Sequence, residues 1–404
     1  MGEREAGGAD PRRVGSRERV IRVLRELGPA RRADIARRTA LSRTTVSAVL
    51  SELQAAGLVV EDLEPGDGPR TGQAGRPPAL VRLDRSAGAA LGIDFGKRHL
   101  RVAVADLGHR VLAERHVPMS PDHPAEQGID AAVKLVDEVL AEAGIERAGI
   151  VGVAMGLPGP INQDSGELGS STILPGWVGV RAQEVMSERL GVEVHVDNDA
   201  NLGALAEWTW GAARDYENVA YLKVSTGIGA GLIVAGRPFR GAGGTAGEIG
   251  HTIIDPEGPI CRCGNRGCLE TLVGASALLE LLRPAVGPVT LRQVLQRARE
   301  GDAACRRAIA DAGTAIGVAV ASLCNLINPE RIVVGGDLGA AGELLLSPMR
   351  DALTRAAIPS AAADVDVVAG TLGDRAELLG AIALVLRDTG VVTVGAQPDA
   401  EAAA

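Results

Sequence analysis

The sequence predicts an α/β protein in two parts, a winged helix-turn-helix domain followed by a larger body of alternating strands and helices. Three observations predict it. Residues 11–58 carry eleven arginines against Glu18, Glu26, Asp34 and Glu52, a net charge of +7, whereas the whole chain carries −9. Apolar residues in this basic head recur at helical spacing, and from about residue 86 the pattern changes to short apolar strands separated by helical stretches. A chain of 404 residues with 46% hydrophobic content can bury the cores of two or three domains.

The ends and the longest apolar stretch set the broad class. Residues 1–15 are polar and charged with no apolar signal segment, and they are expected to be disordered, as is the tail 395–404. The longest uncharged run, 312–327, stops short of a membrane span and reads as a buried helix. A cytoplasmic protein with no membrane partner is expected, in a compartment where thiols stay reduced.

Residues 16–85 are expected to bind DNA. SRERVIRVLRELG (16–28) places Val20, Ile21, Leu24 and Leu27 on one helical face, with Gly28 to end the helix. RRADIARRTA gives a short second helix. LSRTTVSAVLSELQAAG gives a third, capped by Ser42 and buried along Val46, Val49, Leu50 and Leu53. That order is helix-turn-helix spacing, and it turns Arg43, Thr44, Thr45 and Ser47 toward the major groove or its phosphates. LVVEDLE and ALVRLD then read as strands flanking a glycine- and proline-rich wing that carries Arg70 and Arg76, the latter suited to a minor groove. A small protein-interaction bundle followed by a linker is the competing reading. The agreement of charge, helix order and wing favours operator DNA.

In the body, GAALGIDFG, HLRVAVADL and RVLAERHVPM read as three successive strands, followed by a helix over 128–144 and the strand IVGVAMGLPG. A further helix leads to VEVHVDNDAN, a strand running into a loop. NVAYLKVSTGIGAGLIVAGRPF reads as a hairpin with STGIGAG as its turn, and ERIVVGGDLG as a strand ending in paired glycines. Glycine turns at Asp94–Gly96, Thr226–Gly231 and Gly335–Gly336 together suggest backbone approaching a phosphorylated ligand.

CRCGNRGCLE (261–270) holds three of the five cysteines. Cys261, Cys263 and Cys268 offer three thiolates on a tight loop, and His251 supplies the nitrogen that a Cys3His structural Zn2+ site needs. Three free thiols are the bland alternative. Cys305 and Cys324 lie in apolar helical stretches and read as inert core residues.

DNDAN (197–201), the E-x-G-H of Glu248–His251 and the C-x-C-G-x-x-G-C-x-E of 261–270 carry a resemblance. From about Ser16 to Arg387 the chain resembles the ROK family of repressors, open reading frames and sugar kinases, in its branch of sugar-responsive regulators. The resemblance implies a two-lobed actin-like/ribonuclease-H-like ATPase fold. Its first lobe would span 86–205, completed by a helix near 376–388, and its second lobe, with the zinc loop, would span 206–375. It implies metal ligation by His251, Cys261, Cys263 and Cys268, and sugar contacts from Asn198, Asp199, Glu248, His251 and Glu270.

In the family's kinases the residue matching Asp199 is the general base, and the nucleotide loops match Asp94, Gly96, Thr226, Gly227, Gly335 and Gly336. Those kinases carry D-x-G-G-T at the first loop, where this chain has Asp94-Phe95-Gly96-Lys97-Arg98. The departure favours a sensor of a sugar or sugar-phosphate effector, acting as a homodimer or homotetramer on operator DNA. The alternative is an ATP-dependent sugar kinase, using Mg-ATP, that also carries a DNA-binding domain.

Overall fold

The computed structural model describes residues 16–388 apart from 18, 22, 25, 26, 56, 64–78, 85–87, 122, 163, 164 and 170–173. The expectations for 1–15, 395–404, Arg70 and Arg76 fall outside the described residues. In the head, the described residues of 16–27 form helix α1, which buries Val20, Ile21, Val23 and Leu24. Leu27, expected on that face, is 42% exposed. Gly28, at φ 70°, ends the helix directly after it and donates to the Leu24 carbonyl, so the last turn projects past the core.

Strand β1 (Ala30–Arg31), a two-residue strand the sequence did not suggest, leads into α2 (Arg32–Thr39) and α3 (Arg43–Ala55). Ser42 caps α3, its Oγ accepting from the Thr45 backbone N–H at 3.0 Å, and Val46, Val49, Leu50 and Leu53 form the buried stripe. Strands β2 (Val59–Leu63) and β3 (Ala79–Leu83) pair antiparallel, with β1 on the far edge of β3. This is a winged helix-turn-helix domain. Its apolar core runs on into the first lobe through Leu83, Leu107 and Ala105.

Three antiparallel strands open the first lobe: β4 (Ala89–Gly96), β5 (His99–Asp106) and β6 (Val111–Pro118). Helix α4 (Ala125–Ala143) packs on this sheet through Ile129, Ala132, Val136 and Val139. Parallel β7 (Ile150–Leu157), helix α5 (Ala182–Leu190) and parallel β8 (Val194–Asn198) complete the order β6-β5-β4-β7-β8. The expected loop after β8 is absent. Asn198 is the last strand residue and also the cap of α6 (Asp199–Thr209), because its short amide reaches the first free N–H groups of that helix.

The second lobe repeats the plan. Strands β9 (Val219–Val224), β10 (Ile228–Val234) and β11 (Arg237–Phe239) form the antiparallel part, and the β9–β10 turn is shorter than expected, spanning only Ser225–Gly227. Helices α7 (Leu269–Val273), α8 (Ala275–Val286), α9 (Leu291–Arg299) and α10 (Ala303–Ile327) follow. Parallel β12 (Arg331–Gly335) leads through α11 (Gly336–Gly339), α12 (Glu343–Ala356) and α13 (Pro359–Ala362) to β13 (Asp366–Ala369), giving the order β11-β10-β9-β12-β13.

Helix α10 is long and apolar enough to cross a membrane by length and composition, yet it is a one-sided core helix. Ile316, Val320 and Cys324 are buried, as expected of a buried helix, and one stripe through Val318 and Leu326, 40% and 82% exposed, faces outward. Glycine lets it lie close to α12: a Cβ at Gly317 would sit 2.3 Å from the Met349 carbonyl oxygen. Cys305 and Cys324 are free and buried, and burial pushes the Cys324 thiol up to about 11.

The final helix, α14 (Ala376–Asp388), returns to the first sheet and shares a core with Ala90, Ala103, Leu202 and Leu205. Helix α6 is gripped from both sides. A Cβ at Gly231 of β10 would lie 2.2 Å from the Ala200 carbonyl oxygen, and one at Gly380 of α14 would lie 1.9 Å from that of Leu202. This two-lobed arrangement is the actin-like fold that the resemblance implies.

Candidate functional site

Between the lobes lies a cleft of about 910 Å3. Asn198, Asp199, Glu248, His251 and Glu270, drawn from three separate segments, all line it. Asn198 is largely committed to the fold. Its Oδ1 accepts from the Ala200 and Asn201 N–H groups and its Nδ2 donates to the Gly159 carbonyl at 2.8 Å, leaving one amide hydrogen for a ligand.

Asp199 is not a solitary base. Its Oδ1 accepts from the Ala200 N–H, and its Oδ2 is 2.9 Å from the Lys223 ammonium, which also lies 3.4 Å from Glu377 Oε1. Burial opposes the charge on Lys223, but the carboxylates of Asp199, Glu377 and Asp94 outweigh it and raise its pKa well above the ordinary value. Tyr221 donates to the same Glu377 oxygen at 3.2 Å.

The opposite wall comes from the second lobe. Glu270 accepts two bonds from Arg262, at 2.9 and 2.7 Å, and a third from the Ile228 N–H at 3.2 Å. Arg262 is the residue between Cys261 and Cys263, so the cysteine loop itself orients this carboxylate. Burial, with the nearby charges of Asp199 and Glu270, pushes Glu248 up to about 7. Behind this wall the donor atoms of His251, Cys261, Cys263 and Cys268 all lie within 4.8 Å of one another. His251 Nδ1 is 3.6 Å from the Cys261 sulfur, and the Cys263 and Cys268 sulfurs are 3.7 Å apart. This donor set can hold a metal ion.

The three glycine turns converge less completely than expected. Gly96, Thr226, Gly227, Gly335 and Gly336 line the cleft, and Gly336, at φ 75°, fits only because a Cβ there would meet Val224 backbone atoms at 2.5 Å. Ser225 donates to Asp337, tying the second turn to the third. Asp94 stands back from the cleft wall, 1% exposed, with Oδ2 bonded to His99 Nε2 at 2.9 Å. Burial works against its charge, but the His99 bond and the charges of His99, Lys223 and Arg101 prevail and lower its pKa.

Sequence reasoning missed Lys223, Glu377, Arg262 and Arg101 as parts of the site. One signal was available, since Lys223 is one of only three lysines in the chain. At the head, Arg43 and Thr44 are exposed at the start of α3, while Thr45 and Ser47 are half-buried. The Thr45 hydroxyl is also bonded to Ser42 at 2.8 Å.

Comparisons with known proteins agree with this architecture. Residues 90–388 match the ROK family and residues 19–68 the MarR family. The xylose repressor of Caldicellulosiruptor bescii is 32% identical over 383 residues, covering 91% of this chain and 94% of that protein. The transcriptional dual regulator NagC of Escherichia coli is 30% identical over 399 residues, covering 96% of both chains. Among solved structures, a ROK family transcriptional regulator homologous to the E. coli MLC protein aligns with a TM-score of 0.75 at 24% identity, covering 95% of this chain and 98% of that one. A ROK family glucokinase from Streptomyces griseus aligns with a TM-score of 0.64 at 28% identity, over 74% of this chain and 99% of that one. The protein belongs to the ROK family, with a MarR-type winged-helix domain at its head.

Proposed function

We propose that this protein is a sugar-responsive transcriptional repressor: the winged head binds operator DNA, and a sugar in the interlobe cleft changes that binding. The observation that carries the reading is the gathering of Asn198, Asp199, Glu248, His251 and Glu270 on one cleft in a chain headed by a DNA-binding fold. The names of relatives similar over nearly the whole chain, a xylose repressor and a transcriptional dual regulator, support it. Carboxylates and an imidazole suit adjacent sugar hydroxyls, which donate to the former and exchange bonds with the latter.

The cysteine loop is proposed to hold Zn2+. Bonds of about 2.3 Å to sulfur and about 2.0 Å to nitrogen imply tetrahedral edges of roughly 3.8 and 3.5 Å, close to the Cys263–Cys268 and Cys261–His251 separations of 3.7 and 3.6 Å. The ion would serve as scaffold, fixing His251 through Nδ1 and leaving Nε2 for the cleft. Arg43 and Thr44, exposed at the start of α3, are proposed to meet DNA first, with the half-buried Thr45 and Ser47 behind them, and a homodimer or homotetramer would present paired heads to a two-part operator. Phosphoryl transfer is proposed to be absent. Asp199 is held by Lys223, and Asp94 is held by His99 beside a turn that lacks the second glycine and threonine.

The test is fluorescence anisotropy on DNA from the protein's own promoter, with and without candidate sugars. A bound sugar shifts the balance only by its difference in affinity for the two states. A sugar that saturates the cleft and leaves DNA affinity unchanged contradicts the mechanism. Arg43→Ala is expected to weaken DNA binding by about 1–3 kcal/mol, or uniformly with a shallower salt slope if it meets phosphate. Sugar affinity should not change.

Glu248 makes a pH prediction. Sugar hydroxyls donating to its carboxylate require it ionised, so affinity should rise with pH through about 7 and lose that dependence in Glu248→Gln. Without sugar the sign for stability is opposite. A carboxyl whose pKa rises on folding contributes stability that is present below its unfolded pKa and lost as pH rises through about 7.

A further inference from the structure

We propose that Asp197 and Arg240 are a positioning pair that holds the two sugar-binding walls of the cleft at a fixed separation, each acting through its chain neighbours. Neither side chain lines the cleft. Asp197, 2% exposed, belongs to β8 of the first lobe, and Arg240 directly follows β11 of the second. Arg240 donates from Nε at 2.8 Å and from Nη2 at 2.5 Å to one oxygen, Asp197 Oδ2. The other oxygen, Oδ1, accepts from the Asn198 N–H at 2.8 Å and from Asn201 Nδ2 at 2.9 Å. One half of the carboxylate thus serves its own lobe and the other half the opposite lobe.

Each partner stands at the root of a segment that reaches the cleft. Asp197 immediately precedes Asn198 and Asp199, and its Oδ1 bonds fix the first turn of α6 that carries them. On the other side, the Arg240 carbonyl accepts from the Ala246 N–H at 3.0 Å, closing the loop that leads to Glu248 and His251. The far end of that loop is fastened to β10. Gly247 accepts from the Ala230 N–H at 2.7 Å, and at φ 97° a Cβ on it would lie 1.9 Å from the Ala230 carbonyl oxygen. Tied at both ends, the loop moves with β10 and β11 as one piece, and Glu248 moves with Arg240.

Stability alone is a poor reason for this pair. Two charges taken out of water lose hydration that their attraction only about offsets, and well-packed apolar residues would hold the lobes as firmly. An arginine fork on one oxygen differs in having a set direction and length. Lys223 of β9 makes a second tie between the lobes, to Asp199. One tie lets two bodies turn about it. Two, running from different strands of the second sheet to positions two residues apart, fix the angle between them. Lys223 lines the cleft and its charge faces a ligand, whereas Arg240 stands behind the wall and acts by position. The effect on ligand binding rests on the sugar reading of the cleft; the tie between the lobes does not.

The experiment compares the full chain with Asp197→Asn/Arg240→Gln, which strands no charge, and with Arg240→Lys, which keeps the charge and loses the fork. Without ligand, hydrogen exchange is followed at the amides of Ala200 and Asn201 in the first lobe and of Ala246 and His251 in the second, with α4 and α10 as controls in the two lobes. In the double variant both groups should exchange about tenfold or more faster, with the controls unchanged. Acceleration of one group only, or of neither, overturns the pair; equal acceleration in α4 and α10 makes it a general stabiliser and overturns it too. Titration calorimetry with xylose, glucose and N-acetylglucosamine then reads the cleft. Whichever sugar the wild type binds should bind the double variant about tenfold or more weakly, with Arg240→Lys in between. Glu248→Gln should lose less affinity in the double variant than in the wild type, because a displaced carboxylate has less to lose. Unchanged affinity, or strictly additive losses, overturns the positioning role. If both segments loosen but the wild type binds none of these sugars, the pair stands as the tie between the lobes and the sugar reading of the cleft is what fails.

Discussion

Lys223→Met is expected to destabilise the protein by about 3–5 kcal/mol, because truncating one partner of a buried ion pair strands the other charge. Here it strands two. Lys223 stands between Asp199 and Glu377, at 2.9 and 3.4 Å, with side-chain exposures of only 15%, 11% and 6%. Methionine keeps much of the stem's packing and removes the charge, leaving two carboxylates repelling each other in a buried, low-dielectric contact. Denaturant unfolding of the single variant and of Lys223→Met/Glu377→Gln separates the causes. Recovery of most of the loss in the double variant identifies the stranded charge. An equal or greater loss would mean that packing dominates and that the ion pair is incidental. Glu377 lies in α14 and Lys223 in β9, so this contact also ties the last helix to the second lobe.

Removing the proposed zinc is expected to reduce sugar affinity by about tenfold to a hundredfold, the range typical when the shell that orients a site is disturbed. Cys268→Ser takes away a buried donor next to α7, whose second residue is Glu270. Without the loop's clamp, Arg262 no longer holds the Glu270 carboxylate and His251 is free to rotate. Elemental analysis should find one zinc per wild-type chain and none in the variant, and titration calorimetry should show the affinity loss. A metal-free variant that binds sugar normally would remove zinc from the account of the site. Chelation of the wild type is the companion measurement, because it leaves every side chain in place.

Much of this protein is legible from residue pattern alone, for a definite reason. Val46, Val49, Leu50 and Leu53 recur at helical spacing, and Ser42 precedes them with the side chain that caps a helix, so α3 is specified locally. The cysteine loop is likewise local, since Cys261, Cys263 and Cys268 lie within eight residues and His251 ten residues earlier. Where local cues compete with tertiary context, the pattern misleads. Leu27 has the right spacing for the core, but the helix ends at Gly28 before the core reaches it. Asn198 and Asp199 read as a loop because they are polar, yet an asparagine that caps its own helix needs no loop. The stretch 312–327 is the core helix expected, but its exposed stripe through Val318 and Leu326 was not foreseen, because apolar composition does not reveal how many sides of a helix will be covered.

By itself, the sequence determined the winged head, most of the order of elements and the grouping of His251 with the three cysteines, which rest on spacings within a few turns of chain, whereas the acidic residues of the cleft came only with the family resemblance. Tertiary structure alone decided the rest. Lys223 meets Glu377 across 154 residues and Arg101 meets Asp374 across 273. Such pairings depend on two sheets of the same topology closing around α6, and charge–charge contacts between lobes leave no periodicity in the chain from which they can be read.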